Sequence, residues 1–296
     1  MRRMVISEIK GLQKKYKSTQ ALKNVTMDLK RGEVLGFIGP NGAGKSTTIR
    51  ILLGIIKSSG GTAKIFGKDV WKDSIEIHKR LAYVPGDVNL WPNLTGGEII
   101  DVFMRLQGTK NEARRDELIH KFQLDPKKKA RTYSKGNRQK VALIAALASN
   151  AELYIFDEPT SGLDPLMEAV FQEEVENLKN QGKSILLSSH ILSEVERLCD
   201  RVAIIRQGEV IETGTLDELR HLTRYQYKVT TRDVPIGLKQ VSGVHDLVIN
   251  GKEAVFQADS DQIEVILEAI MPYHVTKLES VPPTLEALFM RHYTGK

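Results

Sequence analysis

The chain has 296 residues, 41% hydrophobic and 27% charged, ordinary globular usage that excludes a disordered or collagen-like chain. Its longest unbroken apolar run, Val141–Ala148, falls far short of the ~20 residues that cross a bilayer, and its single cysteine, Cys199, excludes a disulfide framework or a cysteine-built zinc site and suits a reducing cytosol. The net charge of +6 allows nucleotides, nucleic acid or a lipid surface as partners and selects none of them. The opening Met1-Arg2-Arg3-Met4 lacks the apolar core of a signal peptide, so none is expected.

From Ile6 to about Leu222, apolar strands alternate with helical patterns, which predicts an α/β unit with a parallel-rich sheet. Val34–Ile38 is an apolar run ending in a Gly-rich loop, and Lys45–Ile56 follows with helical spacing. Thr95 and Glu98 precede Ile99-Ile100 as a capping box, so a helix starts there. Asn111–Phe122 is a second, charged helix; Lys127–Lys129 after Pro126 is a solvated loop. Residues 87–149 therefore form a mostly helical insertion. Leu153–Phe156 and Ser184–Leu187 read as strands buried on both faces.

The pattern changes after Thr223. Tyr225–Thr231 alternates as a half-buried strand, and Asp246–Asn250 with Ala254–Ala258 flank Gly251 as a hairpin. Ile263–Ile270 reads as a helix, His274–Leu278 as a strand, and Thr284–His292, after Pro282-Pro283, as a terminal helix. The expected domains are 1–222, with its helical subdomain at 87–149, and 223–296, a small α+β module of ferredoxin-like type.

Two motifs carry chemistry. Gly39–Ser46 fits G-x-x-x-x-G-K-[ST] between an apolar run and a helix, the context a phosphate-binding loop requires. Its backbone N–H groups and the helix N-terminus suit phosphate, with Lys45 on the terminal phosphates and the Ser46 hydroxyl on magnesium. Leu153–Phe156 ends in Asp157 and Glu158. One carboxylate at such a strand end can hold magnesium and the next can polarise an attacking water. His190 ends the run Ser184–Ser189 and can reach the same edge.

Taken in order, Gly39–Thr47 (GPNGAGKST), Tyr133–Lys140 (YSKGNRQK), Leu153–Pro159 (LYIFDEP), Ser161–Pro165 (SGLDP) and His190 make residues 4–222 resemble an ATP-binding-cassette (ABC) ATPase. Ser134 stands 23 residues before Asp157, as the resemblance requires. It implies that Tyr16 stacks on adenine, and that Gly39, Asn41, Gly42, Ala43, Gly44, Lys45, Ser46 and Thr47 contact ATP and magnesium. It makes Asp157 the magnesium-associated acid, Glu158 the residue acting on water, and His190 the sensor of the terminal phosphate. Ser134, Lys135, Gly136 and Asn137 correspond to the signature loop, which caps ATP bound to a partner cassette, and Asp164 to an acid at the dimer interface. One phosphate loop and one signature per chain imply a homodimer, or a heterodimer with a sister cassette.

Two positions depart from the family pattern. Tyr83-Val-Pro85 is followed by Gly86-Asp87 where Gln or Glu is usual, so Asp87 is the candidate to take that role, as a metal ligand. Lys135 stands where the signature has glycine, adding positive charge near phosphate or pointing to solvent.

The resemblance further implies a separate transmembrane permease, docked on the helical region, and a peripheral position on the cytoplasmic face of the membrane. The spelling Tyr-Ser-Lys-Gly and the module ending Pro282–Phe289 are similar to bacterial drug- and antibiotic-export cassettes rather than importers. The competing readings are the ATPase subunit of an importer and a soluble ATP-switched factor acting on nucleic acid or the ribosome. Salt-sensitive nucleic-acid binding would mark the latter, and the exporter reading expects none.

Overall fold

The computed structural model describes residues 4–221, 224–259 and 262–281. The chain divides into two compact units, Met1–Thr213 and Gly214–Lys296. That junction lies ahead of residue 222 because a helix already starts at Leu216. Thr215 Oγ1 accepts from the Glu218 N–H at 3.2 Å while the Thr215 N–H donates to Glu218 Oε2 at 2.8 Å, a reciprocal capping box.

The strands that build the first unit are β1 (Val5–Tyr16), β2 (Thr19–Lys30), β3 (Val34–Ile38), β4 (Gly60–Ile65), β5 (Lys68–Asp69), β6 (Leu81–Val84), β7 (Leu153–Asp157), β8 (Ser184–Ser189), β9 (Arg201–Arg206) and β10 (Glu209–Thr215). They form one sheet in the order β5-β4-β1-β2-β10-β9-β3-β8-β7-β6. Every residue of β3, β7 and β8 is buried, as expected of central parallel strands covered on both faces. The pairs β3–β8, β3–β9, β7–β8 and β6–β7 are all parallel. At the other edge β1 pairs antiparallel with β2 and β4. Val25, Met27 and Leu29 alternate inward along β2, the period of a one-faced sheet, and Leu22 is buried beyond a shift in the β1–β2 register.

The helices of this unit are α1 (Lys45–Leu52), α2 (Ser74–His78), α3 (Gly96–Leu106), α4 (Glu112–Lys121), α5 (Lys135–Leu147), α6 (Pro165–Asn180) and α7 (Leu192–Leu198). Helix α1 stops at Leu52 rather than continuing to Ile56, because Gly54 turns left-handed (φ 64°) and ends the hydrogen-bond ladder. Thr95 and Glu98 form the expected capping box, and the Asn111 side chain caps α4. Helices α3, α4 and α5 make up the insertion between β6 and β7. Helix α4 is fastened to α6 by Glu174, fully buried, which takes Arg114 and, at 2.8 Å, Lys121. The loop Lys127–Lys129 is exposed, as read from its charge.

The second unit comprises α8 (Leu216–His221), β11 (Tyr225–Thr231), β12 (Val244–Asn250), β13 (Glu253–Ala258), α9 (Ile263–Ile270) and β14 (Val275–Val281). Its sheet is antiparallel, in the order β12-β13-β11-β14. With α9 between β13 and β14, this is the ferredoxin-like arrangement, its first helix reduced to a 3-10 turn at Ile236–Gln240. Tyr227, Val229, Ala254, Phe256, Ile266 and Ile270 form the core. The helix expected at Thr284–His292 lies outside the described residues.

Phe256 is 1% exposed and stacks on Tyr227 with ring centroids 5.4 Å apart. Phe256→Ala should cost this unit about 3–5 kcal/mol. Amide exchange measured by mass spectrometry should then accelerate in β11 and β13 by roughly a hundredfold or more.

Candidate active site

Strand register assembles the site. Ile38, the last residue of β3, pairs with Ser189 of β8, and Asp157, the last of β7, pairs with Ser188. The loops that leave these strands, at Gly39, Glu158 and His190, therefore start side by side at the carboxyl edge of the sheet. The Glu158 N–H donates to the Ser188 carbonyl at 2.8 Å, carrying the contact one residue past the strands.

The loop after β3 runs from buried Gly39 through exposed Asn41 and Gly42 to buried Ala43. Gly44 has φ +117°, and a Cβ there would meet the Leu22 side chain at 2.6 Å. No side chain caps the N-terminus of α1, which leaves the positive end of its dipole to an anion. Lys45 is buried, and its Nζ donates to the carbonyls of Gly39 at 2.6 Å and Pro40 at 3.2 Å. Burial lowers its pKa, opposed by the charges of Glu158 and Asp157. Ser46 is exposed and Thr47 half-buried.

Asp157 is 5% exposed, and among the described residues its Oδ1 has no hydrogen-bond partner. Burial pushes its carboxyl pKa up, opposed by the nearby Ser188 and Ser46 hydroxyls. A buried carboxylate oxygen lacking a partner, beside a hydroxyl, is a donor set that suits a hard dication, so these residues fit magnesium. Glu158 adopts left-handed backbone (φ 49°), a strain that non-glycine residues rarely carry. Its Oε1 is 3.9 Å from Lys45 Nζ and its Oε2 is 3.4 Å from His190 Nδ1. Lys45, Ser46, Asp157, Glu158 and His190 thus lie together at this edge.

Asp87 is exposed, and among the described residues no three His, Cys, Asp or Glu side chains cluster as a metal site. Gly86 does come close: a Cβ there would lie 3.0 Å from the Asp157 carbonyl. The backbone at Gly86 thus packs closely against the end of β7. Tyr16 lies exposed at the end of β1 with Lys14 Nζ over its ring, 4.9 Å from the centroid.

The signature residues open α5. Ser134 is its N-cap, accepting the Asn137 N–H at 3.3 Å. Lys135 is exposed; its Nζ donates to Ser161 Oγ at 2.7 Å, and its stem lies against Gly162. At Gly136 a Cβ would sit 2.4 Å from the Gly162 carbonyl, so no larger residue fits without moving that loop. Gln139, which the motif reading passed over, donates from its buried amide to the Pro159 carbonyl at 2.9 Å. Its sequence signal was its place inside the Tyr133–Lys140 motif. Asp164 is exposed and caps α6, its Oδ1 accepting the Met167 N–H at 3.0 Å ahead of Pro165. The first turns of α5 are thus laced to residues 159–162.

Residues 22–161 match the family model described as ABC transporter, and residues 214–293 match that of the ATP-binding protein DrrA1-3-like, C-terminal domain. The linearmycin resistance ATP-binding protein LnrL of Bacillus subtilis is 30% identical over 98% of both chains. An uncharacterized ABC transporter ATP-binding protein of Nostoc sp. is 40% identical over 67% of this chain, which spans 61% of that relative's length. Among solved structures, an ATP-binding subunit of an ABC transporter is 35% identical with a TM-score of 0.70, covering 73% of this chain and 92% of its own. A dimeric ATP-binding cassette in a post-hydrolysis state, bound to ADP and Pi, is 27% identical with a TM-score of 0.65, covering 71% and 98%.

Asp157 is a buried carboxylate, one oxygen of which has no hydrogen-bond partner among the described residues. Asp157→Asn should therefore raise the melting temperature of the nucleotide-free protein, by roughly 2–4 °C for each kcal/mol recovered. The same variant should lose the extra stabilisation that magnesium adds to ATP in the wild type.

Proposed function

This chain belongs to the ABC transporter family of ATP-binding proteins, and we propose that it is the ATPase subunit driving export through a separate transmembrane permease. In this reading two cassettes, identical or sister chains, pair at the cytoplasmic face of the membrane. The cargo is a drug, an antibiotic or another amphipathic small molecule. The observation that carries the reading is the meeting of Lys45, Glu158 and His190 at 3.9 Å and 3.4 Å, beyond three adjoining parallel strands. The likeness of nearly the whole chain to a linearmycin resistance protein supports export.

The backbone of Gly39–Gly44 and the open end of α1 receive the phosphates, and Tyr16 offers adenine the ring face that Lys14 leaves free. Lys45 turns from the loop carbonyls to the terminal phosphates. Ser46 and Asp157 hold magnesium, which when bound offsets the negative charge of the phosphates. Glu158 orients the attacking water and accepts its proton. His190, exposed at the end of β8, contacts the terminal phosphate. Ser134 to Asn137, at the N-terminus of α5, meet ATP held by the partner cassette, with Asp164 at the interface. Closure over ATP moves the permease because ATP favours the closed state over the open one, and hydrolysis ends that preference. Asp87 acts from the loop that packs on Asp157.

Glu158→Gln should reduce turnover by roughly a hundredfold or more while ATP still binds and holds a dimer in size-exclusion chromatography. Normal turnover would remove Glu158 as the base. Tagged chain drawn from gently solubilised native membranes should bring down a polytopic permease in stoichiometric amount. Recovery of soluble partners or nucleic acid alone would end the transport reading. Asp87→Ala should lower permease-stimulated hydrolysis and spare nucleotide binding; an unchanged rate would leave Asp87 a turn residue.

A further inference from the structure

We propose that Glu194 is a positioning residue for His190, holding the turn that carries it through the hydroxyl of Ser189. The proposal rests on the reading of His190 as a contact of the terminal phosphate. Glu194 lies in the first turn of α7 and is 4% exposed. Among the described residues it forms no ion pair, and its Oε1 has no hydrogen-bond partner. A carboxylate buried in this way is costly, so a compensating role is to be sought in the contacts it does make.

Ser189 Oγ donates to Glu194 Oε2 at 2.6 Å, and the same Oγ accepts the N–H of Ile191 at 3.0 Å. Ser189 and Ile191 are the two neighbours of His190. A hydroxyl has a single proton and can rotate. Given to Glu194, that proton leaves the oxygen lone pairs directed at Ile191. The backbone on both sides of His190 is thereby pinned to α7 through one oxygen atom. The imidazole needs this restraint, because its side chain is 56% exposed and its polar partner is the Glu158 carboxylate at 3.4 Å. Thr160, buried in the turn after Glu158, also puts its hydroxyl beside Glu194. One carboxylate therefore bonds the turn that carries His190 and lies beside the turn that follows Glu158. Burial raises the Glu194 pKa, with the Ser189 and Thr160 hydroxyls and the His190 charge opposing the rise and the charge of Glu168 adding to it.

The test compares Glu194→Ala, Glu194→Gln and Ser189→Ala with His190→Ala in the full chain, reading ATPase turnover and the Kd of a fluorescent ATP analogue. Glu194→Ala and Ser189→Ala should each cut turnover by about ten- to a hundredfold, the range for partners that orient a functional group, with Kd within twofold of wild type. Glu194→Gln keeps a carbonyl acceptor for Ser189 and should stay within about threefold of wild-type turnover. Adding Glu194→Ala to His190→Ala should change nothing further, since the effect passes through His190. An additional loss in that background would overturn the positioning role, as would normal turnover in Ser189→Ala, which removes a single buried oxygen and leaves the apolar core of the strand in place. Full turnover in His190→Ala would instead sink the reading of His190, and the positioning role with it.

Discussion

The structure depends first on the parallel register of three buried strands. Ile38 pairs with Ser189, and Asp157 with Ser188. Because the strands are parallel, all three point their carboxyl ends to the same edge. A phosphate loop, an acidic pair and a histidine far apart in sequence leave that edge together. A slip of one residue in β7 would turn Asp157 to the other face of the sheet. Its apolar neighbours Ile155 and Phe156, both fully buried, hold the register against such a slip.

A second set of contacts ties the catalytic edge to the helical insertion. Lys135 reaches Ser161, Gly136 packs on the Gly162 carbonyl, and Gln139 bonds the Pro159 carbonyl. Residues 159–162 follow Glu158 directly and lead to Asp164 at the start of α6. Helix α4, on the far side of the insertion, is held to α6 through buried Glu174. Both ends of the segment from Glu158 through α6 are thus gripped by the insertion. A shift in the insertion would be felt at Glu158 through short, directional contacts rather than through the sheet.

Features written in contiguous residues were legible in the sequence. The Gly39–Ser46 spacing, the Asp157-Glu158 pair, the Thr95 capping box and the Ile263–Ile270 helix all encode their structure within a few positions. Long-range pairing was less legible. Nothing local says that β10 and β9 insert between β2 and β3, or that β1 and β2 form an antiparallel flank. The tether of Lys135 could not be read for the same reason, since Ser161 becomes its neighbour only after β7 has joined the sheet. Asp87 shows the reverse limit: the sequence offers a carboxylate, but the backbone contact of Gly86 with Asp157 decides where it stands.

The same few residues concentrate the fold's unfavourable features. Lys45 and Asp157 are charged groups that burial disfavours, in opposite pKa directions. Glu158 holds a left-handed backbone, and among the described residues Asp157 Oδ1 lacks a partner. Around them β3, β7 and β8 are buried and apolar, so the surrounding core can hold these residues without reorganising. Mutual Coulomb attraction offsets only part of the cost, because Glu158 is as far as 3.9 Å from Lys45. A triphosphate with a dication would offer Lys45 anionic oxygens in place of the neutral Gly39 and Pro40 carbonyls, and Asp157 a cation. Binding would therefore relieve costs that folding leaves in place. Free energy of that kind is gained only when the ligand arrives, and this allows nucleotide to shift a conformational equilibrium rather than merely occupy a cleft.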